Sequence, residues 1–472
     1  MIDPIRFGTD GWRGVMARDF TFDNVRRVAQ ALADFITDEA QKTAAKRRGL
    51  TQPIWIGYDR RFQSDSFARE IARVLRGNRL NPCLLAEPLP TPAVSLLTHR
   101  SKGLGLIVTA SHNPPHYNGI KIKSEGRVVP DGFTRMVEAH MDKTMPALNS
   151  DFPVKSCRDV YLQYVRSRVD PSRLSSKLRH PVVIDYLHGS AAGLMEKLLP
   201  SKNLVTIRSE HDPLFGGVNP EPIEANLERL IEKVRQVKAS MGIALDGDGD
   251  RVGVVDAGGV YYTPCQIYPM MIEYLVEKRK LKGKVVQSVS LGRLSARVAA
   301  SRNLPFEEVP VGFKFVADKL AEGDAVIGAE ESGGYAWKGG LPERDGLVTA
   351  LLLLEMCLSQ HQPLSALWKK VEEKYGKSAF KRVDVRIHRP VADKAVFAAK
   401  LLKKLPKKVL GLPIKETSQI DGLKIVLEDT SWLLMRPSGT EPVMRLYAET
   451  DEPQRTADLL DLAKKWVAVG HG

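Results

Sequence analysis

Three short apolar segments of this chain each end in a loop of small, hydroxyl or carboxylate residues. Residues 106–108 precede the loop TASHNPP, residues 241–245 precede DGDGDR, and residues 325–328 precede AEESGG. Each segment has the length and composition of a buried strand in a parallel sheet, and segments with helical spacing lie between such strands. This alternation predicts three topologically related α/β domains with parallel or mixed sheets, whose loops point into one central cleft.

The last part of the chain has a different pattern. From residue 378 onwards, strand-like segments accompany two helical segments, 391–405 and 453–467, which predicts a small α+β domain. Residues 405–413, rich in Pro, Gly and Lys, are interpreted as a surface connection within it. A chain of 472 residues has room for three or four domains. The predicted domains comprise residues 1–150, 151–260, 261–376 and 377–472.

Composition and cysteine usage predict a soluble cytoplasmic protein that is not attached to a membrane. Hydrophobic residues make up 43% of the chain and charged residues 27%, as in ordinary globular proteins. The four cysteines form no CxxC pair, which argues against a disulfide framework or a zinc site. The N-terminus has no signal-peptide core, and the most apolar helical segment, 347–358, is too short to span a bilayer.

The formal net charge of +14 favours anionic ligands. Nucleic acid is one class of anion, but the basic residues are dispersed and no nucleic-acid-binding motif accompanies them. A small phosphorylated substrate would use the same sign of charge with less surface. The sequence therefore favours a phosphorylated small molecule over DNA or RNA.

Ser111 is a candidate nucleophile because it follows the apolar residues 106–108, at the carboxyl end of a predicted strand. Two prolines stiffen the loop that leaves this strand, with His112 beside the serine and Lys121 further on. On local chemistry alone, an ordinary Ser/Asn/Pro turn explains these residues equally well. A serine hydrolase is disfavoured because the chain has no GxSxG elbow, and adjacent residues of one loop do not form a relayed triad.

The loop DGDGDR brings three carboxylates close together, and they repel one another unless a hard cation neutralises them. Oxygen ligands of this kind suit Mg²⁺. An EF-hand is excluded because its sixth position here is Arg251 and its twelfth is Ala257. An acidic surface turn is the alternative, although the preceding strand is apolar. The predicted metal ligands are Asp246, Asp248 and Asp250.

Two further loops carry candidate binding groups. RPSGT (436–440) offers a guanidinium, hydroxyls and backbone amides suited to phosphate, and an ordinary hairpin turn is its alternative. In AEESGG, Glu330 and Ser332 could bind sugar hydroxyls, whereas a helix N-terminus is the simpler explanation of the acids. Asp345, beside Arg344, is expected to cap the helix that follows.

Five loops, TDGWRG, TASHNPPHYNGIKI, DGDGDR, AEESGG and RPSGTEP, occur in this order across residues 9–442. Together they resemble the α-D-phosphohexomutase family over essentially the whole chain. The resemblance implies three related α/β domains and a fourth α+β domain like the TATA-binding protein, around a central cleft. It also implies reversible conversion of glucose 1-phosphate to glucose 6-phosphate, with Mg²⁺ as cofactor and glucose 1,6-bisphosphate as intermediate and activator.

The resemblance assigns roles residue by residue. Ser111 is implied to be the phosphoserine and to hold Mg²⁺ with Asp246, Asp248 and Asp250. The implied catalytic cations are Arg13, Lys121 and Arg251, and the implied substrate-binding residues are Glu330, Ser332, Arg344, Arg436, Ser438, Gly439 and Thr440. Arg445, in the strand after the RPSGT loop, could reach the same anion.

Two positions depart from the family pattern. Some members carry an acid/base His where this chain has Gly334, so proton handling is expected to pass to His112 or Lys121. Many phosphoglucomutases carry His where Gly340 stands, although the neighbouring YAWKGGLPERDG segment resembles theirs. A phosphomannomutase or dual-specificity enzyme is the alternative to a glucose enzyme, and glucosamine specificity is disfavoured because type I enzymes have Gln and His in the sugar loop.

Overall fold

The computed structural model describes residues 5–42, 52–391, 393–438 and 442–470. The chain forms two compact units. Unit 1 comprises Met1–Tyr262 and Ser332–Leu364, and unit 2 comprises Thr263–Glu331 and Ser365–Gly472. Within the described ranges, the helices are all too short or too polar to cross a membrane.

The first sheet of unit 1 has the strand order β1-β5-β4-β2-β3-β7, with β6 paired to β5. Strand β2 pairs parallel with β3 and β4, whereas β5 runs antiparallel to β4 and β1, so the sheet is mixed. The apolar faces of the surrounding helices bury a common core against it. Its elements are β1 Trp12–Val15, α1 Phe22–Lys42, β2 Ile54–Tyr58, α2 Ser64–Gly77, β3 Pro82–Leu85, α3 Thr91–Ser101, β4 Leu104–Val108, β5 Tyr117–Ser124, β6 Arg127–Val128, α4 Asp131–Glu138 and β7 Val154–Lys155.

The second sheet of unit 1 has the order β12-β11-β10-β8-β9. Strand β8 pairs parallel with β9 and β10, while β10 and β11 form an antiparallel hairpin whose loop is DGDGDR. Its elements are α5 Arg158–Arg168, α6 Pro171–Lys177, β8 Val182–Asp185, α7 Leu194–Leu198, β9 Leu204–Ile207, α8 Glu228–Gln236, β10 Met241–Leu245, β11 Val252–Asp256 and β12 Tyr261–Tyr262.

Unit 2 contains the third α/β domain. Strand β13 lies between β14 and β15 and pairs parallel with both. Its elements are α9 Pro264–Glu277, β13 Lys284–Ser288, α10 Leu294–Ser301, β14 Phe306–Val309, α11 Phe313–Ala321 and β15 Ala325–Ala329. The chain then returns to unit 1 for β16 Tyr335–Trp337 and the buried helix α12 Gly346–Gln360, and α13 spans Leu364–Tyr375.

The C-terminal sheet of unit 2 is antiparallel, with the order β17-β22-β21-β20-β19-β18. Apolar residues of α14 and α15 pack on the sheet and form a separate core. The segment 405–413, predicted to be a surface connection, is mostly exposed, but it also contains the hairpin of β18 and β19, in which Val409 is buried. The elements of this C-terminal domain are β17 Ala379–Arg386, α14 Lys394–Leu402, β18 Lys408–Val409, β19 Leu412–Ser418, β20 Leu423–Leu427, β21 Trp432–Pro437, β22 Val443–Thr450 and α15 Pro453–Gly470.

The predicted fold class, three α/β domains followed by a smaller C-terminal domain, is confirmed. The strands at 241–245 and 325–329 match the apolar segments that predicted them. The domain boundaries proposed at residues 150, 260 and 376 stay a prediction.

Candidate active site

Ser111 is fully buried at the end of β4 and has a left-handed backbone with φ of 52°. Its hydroxyl donates to Asp246 Oδ2 at 3.0 Å and lies 3.5 Å from His112 Nδ1. The DGDGDR loop approaches closely, because a Cβ added at Gly247 would lie 2.5 Å from the Ser111 carbonyl oxygen. Unit 1 thus brings the candidate nucleophile and the acidic loop together.

Asp246, Asp248 and Asp250 are buried, and one carboxylate oxygen of each lies within 4.8 Å of the others. Burial and repulsion from the other two carboxylates raise the pKa of Asp246 well above its usual value. Asp246 Oδ1 accepts the backbone N–H groups of Asp250 and Arg251 at 2.8 and 3.0 Å. Among the described residues, Asp248 Oδ1 and Asp250 Oδ1 have no hydrogen-bond partner. Buried, unpartnered carboxylate oxygens fit a divalent cation that prefers oxygen ligands.

Lys121, fully buried on β5, connects the two loops. Its Nζ lies 2.9 Å from Asp248 and Asp10 and 3.3 Å from Asp250. Burial lowers the pKa of Lys121, but the three carboxylates outweigh this and raise it above the ordinary value. Lys121 therefore carries its charge at neutral pH.

Arg344, predicted as a substrate-binding residue, lies beside the same carboxylates in unit 1. Its Nη2 donates to Asp10 at 2.8 Å, and its Nε lies 2.8 Å from Asp250. The preceding residue, Glu343, forms a buried ion pair with Lys123 at 2.5 Å, which ties this loop to β5. Arg344 thus adds a buried cation beside the acidic loop.

The two remaining predicted cations lie at the edges of this cluster. Arg13 Nη1 donates to Asn113 Oδ1 at 2.7 Å, and Arg251 Nε lies 3.7 Å from Asp250. In all, the cluster contains five cationic side chains and five carboxylates, whose formal charges cancel. They are Arg13, Lys121, Lys123, Arg251 and Arg344, with Asp10, Asp246, Asp248, Asp250 and Glu343. A divalent cation and a phosphoryl dianion, added together, would preserve this balance.

His112 differs from these cations in its charge. The pKa of His112 lies well below its usual value, because the imidazole is buried and the cations Arg251 and Arg13 lie nearby. His112 is therefore neutral at physiological pH and can accept a proton.

Several residues of this site were not predicted from the sequence. Asp10 binds both Lys121 and Arg344, and the glycine-rich TDGWRG loop that contains it was the only available signal. The same is true of Lys123, Glu343 and Arg61, because their contacts join residues 50 or more positions apart in the chain.

The expected helix cap at Asp345 is confirmed, since its carboxylate accepts the Val348 N–H at 3.0 Å at the start of α12. The hydroxyl of Tyr161 also donates to it, at 2.9 Å. Burial raises the pKa of Asp345 to about 7, although the hydrogen bonds from Val348 and Tyr161 oppose that shift. The Asp345 carboxyl group therefore changes charge near neutral pH while remaining buried.

Asp345→Asn is expected to stabilise the protein increasingly as the pH rises from 5 to 8. In the unfolded chain the carboxyl ionises near 3.8, and in the folded chain near 7. Because the pKa of Asp345 is raised on folding, its contribution to wild-type stability is greatest at low pH and falls up to about pH 7, by at most roughly 4 kcal/mol. Asparagine keeps the cap but cannot ionise. Thermal unfolding of the wild-type and Asp345→Asn proteins from pH 5 to 8 measures the difference in their stability. A difference that does not change with pH would contradict the prediction.

In unit 2, the acids of the AEESGG loop are already partnered. Glu330 Oε1 accepts the Gly312 N–H at 2.7 Å, and Glu331 Oε2 accepts the Ser290 hydroxyl at 2.6 Å. Glu331 Oε1 also accepts from the Tyr447 hydroxyl at 3.4 Å. Ser332 belongs to unit 1, where its Oγ has no hydrogen-bond partner among the described residues. The contacts of Glu330 and Glu331 hold this loop in place.

Arginines gather on one face of the C-terminal sheet. Arg436 and Arg445 are direct partners in the β21–β22 ladder, and Arg436 Nε donates to Asp421 at 2.6 Å. Arg382, which the sequence analysis did not identify, lies over the Tyr447 ring at 5.6 Å. Ser438 is buried, whereas the predicted phosphate ligands Gly439 and Thr440 lie outside the described residues. Asp384 and Asp421 pair with these arginines, whose guanidinium groups are of the kind that bind phosphate oxygens.

Comparison with family models matches the chain to four phosphoglucomutase/phosphomannomutase models. The three alpha/beta/alpha domains match residues 4–147, 159–259 and 263–375, and the C-terminal domain matches residues 381–464. These matches cover the chain in the order in which the family domains are numbered.

Among curated relatives, a phosphoglucomutase/phosphomannomutase of Thermococcus kodakarensis is 27% identical, with 97% of each chain covered. A phosphoglucosamine mutase of Chelativorans sp. is 29% identical, with 96% of each chain covered. A structure from Thermus thermophilus, described as a phosphomannomutase, is 33% identical with a TM-score of 0.86, covering 99% of this chain and 100% of that one. The chain therefore belongs to the phosphoglucomutase/phosphomannomutase family of the α-D-phosphohexomutase superfamily, whose members transfer phosphate within sugar phosphates.

Proposed function

We propose that this mutase interconverts glucose 1-phosphate and glucose 6-phosphate through a phosphoserine at position 111. The observation that carries the proposal is the hydrogen bond between the Ser111 hydroxyl and Asp246, in a cluster of balanced buried charges. Phosphoryl transfer requires positioning and charge neutralisation more than covalent machinery. A buried serine surrounded by three acids and several cations provides both.

In the proposed reaction, the 6-hydroxyl of glucose 1-phosphate attacks the phosphoryl group on Ser111. The bond between phosphorus and Ser111 Oγ breaks as the bond to O6 forms, giving glucose 1,6-bisphosphate. The bisphosphate then turns round, its 1-phosphoryl group returns to Ser111, and glucose 6-phosphate leaves. Lys121, Arg251 and Arg344 neutralise negative charge on the group in transit.

In the first transfer the proton of the 6-hydroxyl ends on Ser111 Oγ. In the second, in which the Ser111 hydroxyl attacks the 1-phosphoryl group, we assign the proton of that hydroxyl to His112 rather than to Lys121, and it then passes to O1 of the departing glucose 6-phosphate. The imidazole Nδ1 lies 3.5 Å from Ser111 Oγ, whereas the Lys121 ammonium is engaged by three carboxylates. Asp246, Asp248 and Asp250 would hold Mg²⁺, which when bound supplies a charge that stabilises the phosphoryl oxygens.

The phosphate that does not react needs a second anion site. We propose that Arg436, Ser438 and Arg445 bind it, together with Gly439 and Thr440. Glu330 and Ser332 would bind sugar hydroxyls. After the intermediate turns round, the same residues would bind its other phosphate.

A substrate panel tests the sugar preference. We expect kcat/KM to be highest for glucose 1-phosphate, compared with mannose 1-phosphate and glucosamine 1-phosphate, with Mg²⁺ and glucose 1,6-bisphosphate present. Preference for mannose 1-phosphate would support the alternative, a phosphomannomutase or dual-specificity enzyme. Preference for glucosamine 1-phosphate would overturn the proposal in favour of the activity for which the Chelativorans relative is named.

Intact-mass measurement should show one added phosphoryl group on the purified protein.

A further inference from the structure

Arg61 lies behind the nucleophile loop, directly after β2, and its side chain is completely buried. Strand β2 pairs parallel with β4, so Arg61 and Ser111 follow the carboxyl ends of adjacent strands. The mechanism proposed above gives Arg61 no role. A buried guanidinium must nevertheless have partners that compensate for its lost hydration.

The partners of Arg61 are four backbone carbonyls of one loop. Nη2 donates to Ser111 O at 2.7 Å and to Asn113 O at 2.6 Å. Nη1 donates to Pro114 O at 2.8 Å and to Tyr117 O at 3.0 Å. The planar, charged donors of one arginine therefore determine the path of the chain from residue 111 to residue 117.

Asp59 completes this arrangement from the other side of Ser111. Its Oδ2 accepts from the Thr109 hydroxyl at 2.6 Å and lies 3.2 Å from Arg61 Nε. The Thr109 oxygen in turn accepts the Ser111 N–H at 2.9 Å. Both backbone polar groups of Ser111 are therefore bound to the Asp59–Arg61 pair, directly or through one hydroxyl.

This restraint acts where the backbone is strained. Ser111 has φ of 52°, a conformation that non-glycine residues adopt at some energetic cost. Asn113 is bound on two sides, since its carbonyl accepts from Arg61 and its Oδ1 accepts from Arg13 at 2.7 Å. Releasing Arg61 would therefore free both the nucleophile and a partner of a catalytic cation.

We propose that Arg61 is a positioning residue that keeps Ser111 in the geometry required for phosphoryl transfer. The inference rests on the proposed function, because it takes Ser111 as the residue that carries the phosphoryl group. Lysine cannot replace Arg61, since one ammonium offers three donors from a single atom and cannot reach four divergent carbonyls. The role depends on the planar fork as well as on the charge.

The test compares Arg61→Lys and Arg61→Met with the matched controls Arg60→Lys and Arg60→Met. Arg60 is the adjacent arginine, but its Nη1 donates to Ser209 O at 2.7 Å, outside the nucleophile loop. In the Arg61 variants we expect kcat to fall roughly 100-fold, as a displacement of about 1 Å can cause, while KM for glucose 1-phosphate stays within about twofold. The Arg60 variants should keep wild-type kcat.

Single-turnover transfer from the phosphorylated enzyme to glucose 1-phosphate separates positioning from folding. We expect the transfer rate of each folded Arg61 variant to fall with kcat, and guanidinium added to Arg61→Ala to restore part of it. Folded Arg61 variants with the wild-type transfer rate would overturn the inference. A decrease in transfer rate that is fully explained by a smaller folded fraction would overturn it as well.

If both Arg61 variants fail to fold, Thr109→Val carries the test. This change keeps the side-chain shape but removes the oxygen that accepts the Ser111 N–H, so kcat should fall while KM remains unchanged. Because Thr109 links the Ser111 N–H to Asp59, the ion-pair partner of Arg61, wild-type kcat in Thr109→Val would overturn the inference that this pair positions Ser111. A Ser111→Ala enzyme that stays active would instead show that the proposed function has failed.

Discussion

Replacement of Ser111 by alanine is expected to lower kcat for glucose 1-phosphate by at least about 10⁴-fold, the scale at which removal of a nucleophile acts. The hydroxyl is buried and donates at 3.0 Å to Asp246, so a neighbouring group cannot easily take its place. The loss should appear in kcat, because the residues proposed to bind the sugar and the second phosphate are unchanged. Steady-state rates with glucose 1,6-bisphosphate as activator measure it.

Two controls support the interpretation of the Ser111→Ala result. The variant should fold, since the Ser111 hydroxyl makes one close hydrogen bond and the backbone of the loop remains bound by Arg61. Radioactive phosphate from glucose 1,6-bisphosphate should label the wild-type protein but not the variant. A folded Ser111→Ala protein with full mutase turnover, or with undiminished labelling, would contradict the phosphoserine mechanism.

The parts of the site predictable from sequence lie at the ends of buried strands. Residues 106–108 and 241–245 are continuous apolar segments, so the positions of Ser111 and Asp246 followed from where those segments end. Parallel strands place their carboxyl ends at one edge of a sheet, which is why such loops are sites of function. The α/β alternation that identified these strands also predicted the fold class.

The remaining parts depended on contacts that no local pattern reveals. Arg61 looks like one of several dispersed basic residues until β2 and β4 pair and place it behind Ser111. The Lys123–Glu343 ion pair joins residues 220 positions apart, so it requires the tertiary fold. The strands within 405–418 were not predicted, because two prolines, a glycine and three lysines interrupt the apolar residues there, although Val409 is buried.

Removal of divalent cations by chelation is expected to reduce turnover to background, and added Mg²⁺ should restore it. Without a cation, the three buried carboxylates repel one another, and this repulsion with burial raises the pKa of Asp246. The five cationic side chains of the cluster already balance its five carboxylates, so an added phosphoryl dianion without a cation leaves excess negative charge. The loss of turnover on chelation should exceed the loss caused by replacing any one cationic side chain of the cluster.

A measurement independent of activity distinguishes metal binding from an effect on the substrate. Mg²⁺ at 100 times its Kd should increase the free energy of unfolding of the wild-type protein by about 2.7 kcal/mol. The thermal midpoint should therefore rise. Asp248→Asn should lose this response because it removes a ligand charge, whereas Asp151→Asn, a change at an exposed aspartate outside the acidic triplet, should retain it. Because a ligand stabilises only the state that binds it, an unchanged midpoint in wild type, or equal responses in both variants, would place the cation elsewhere.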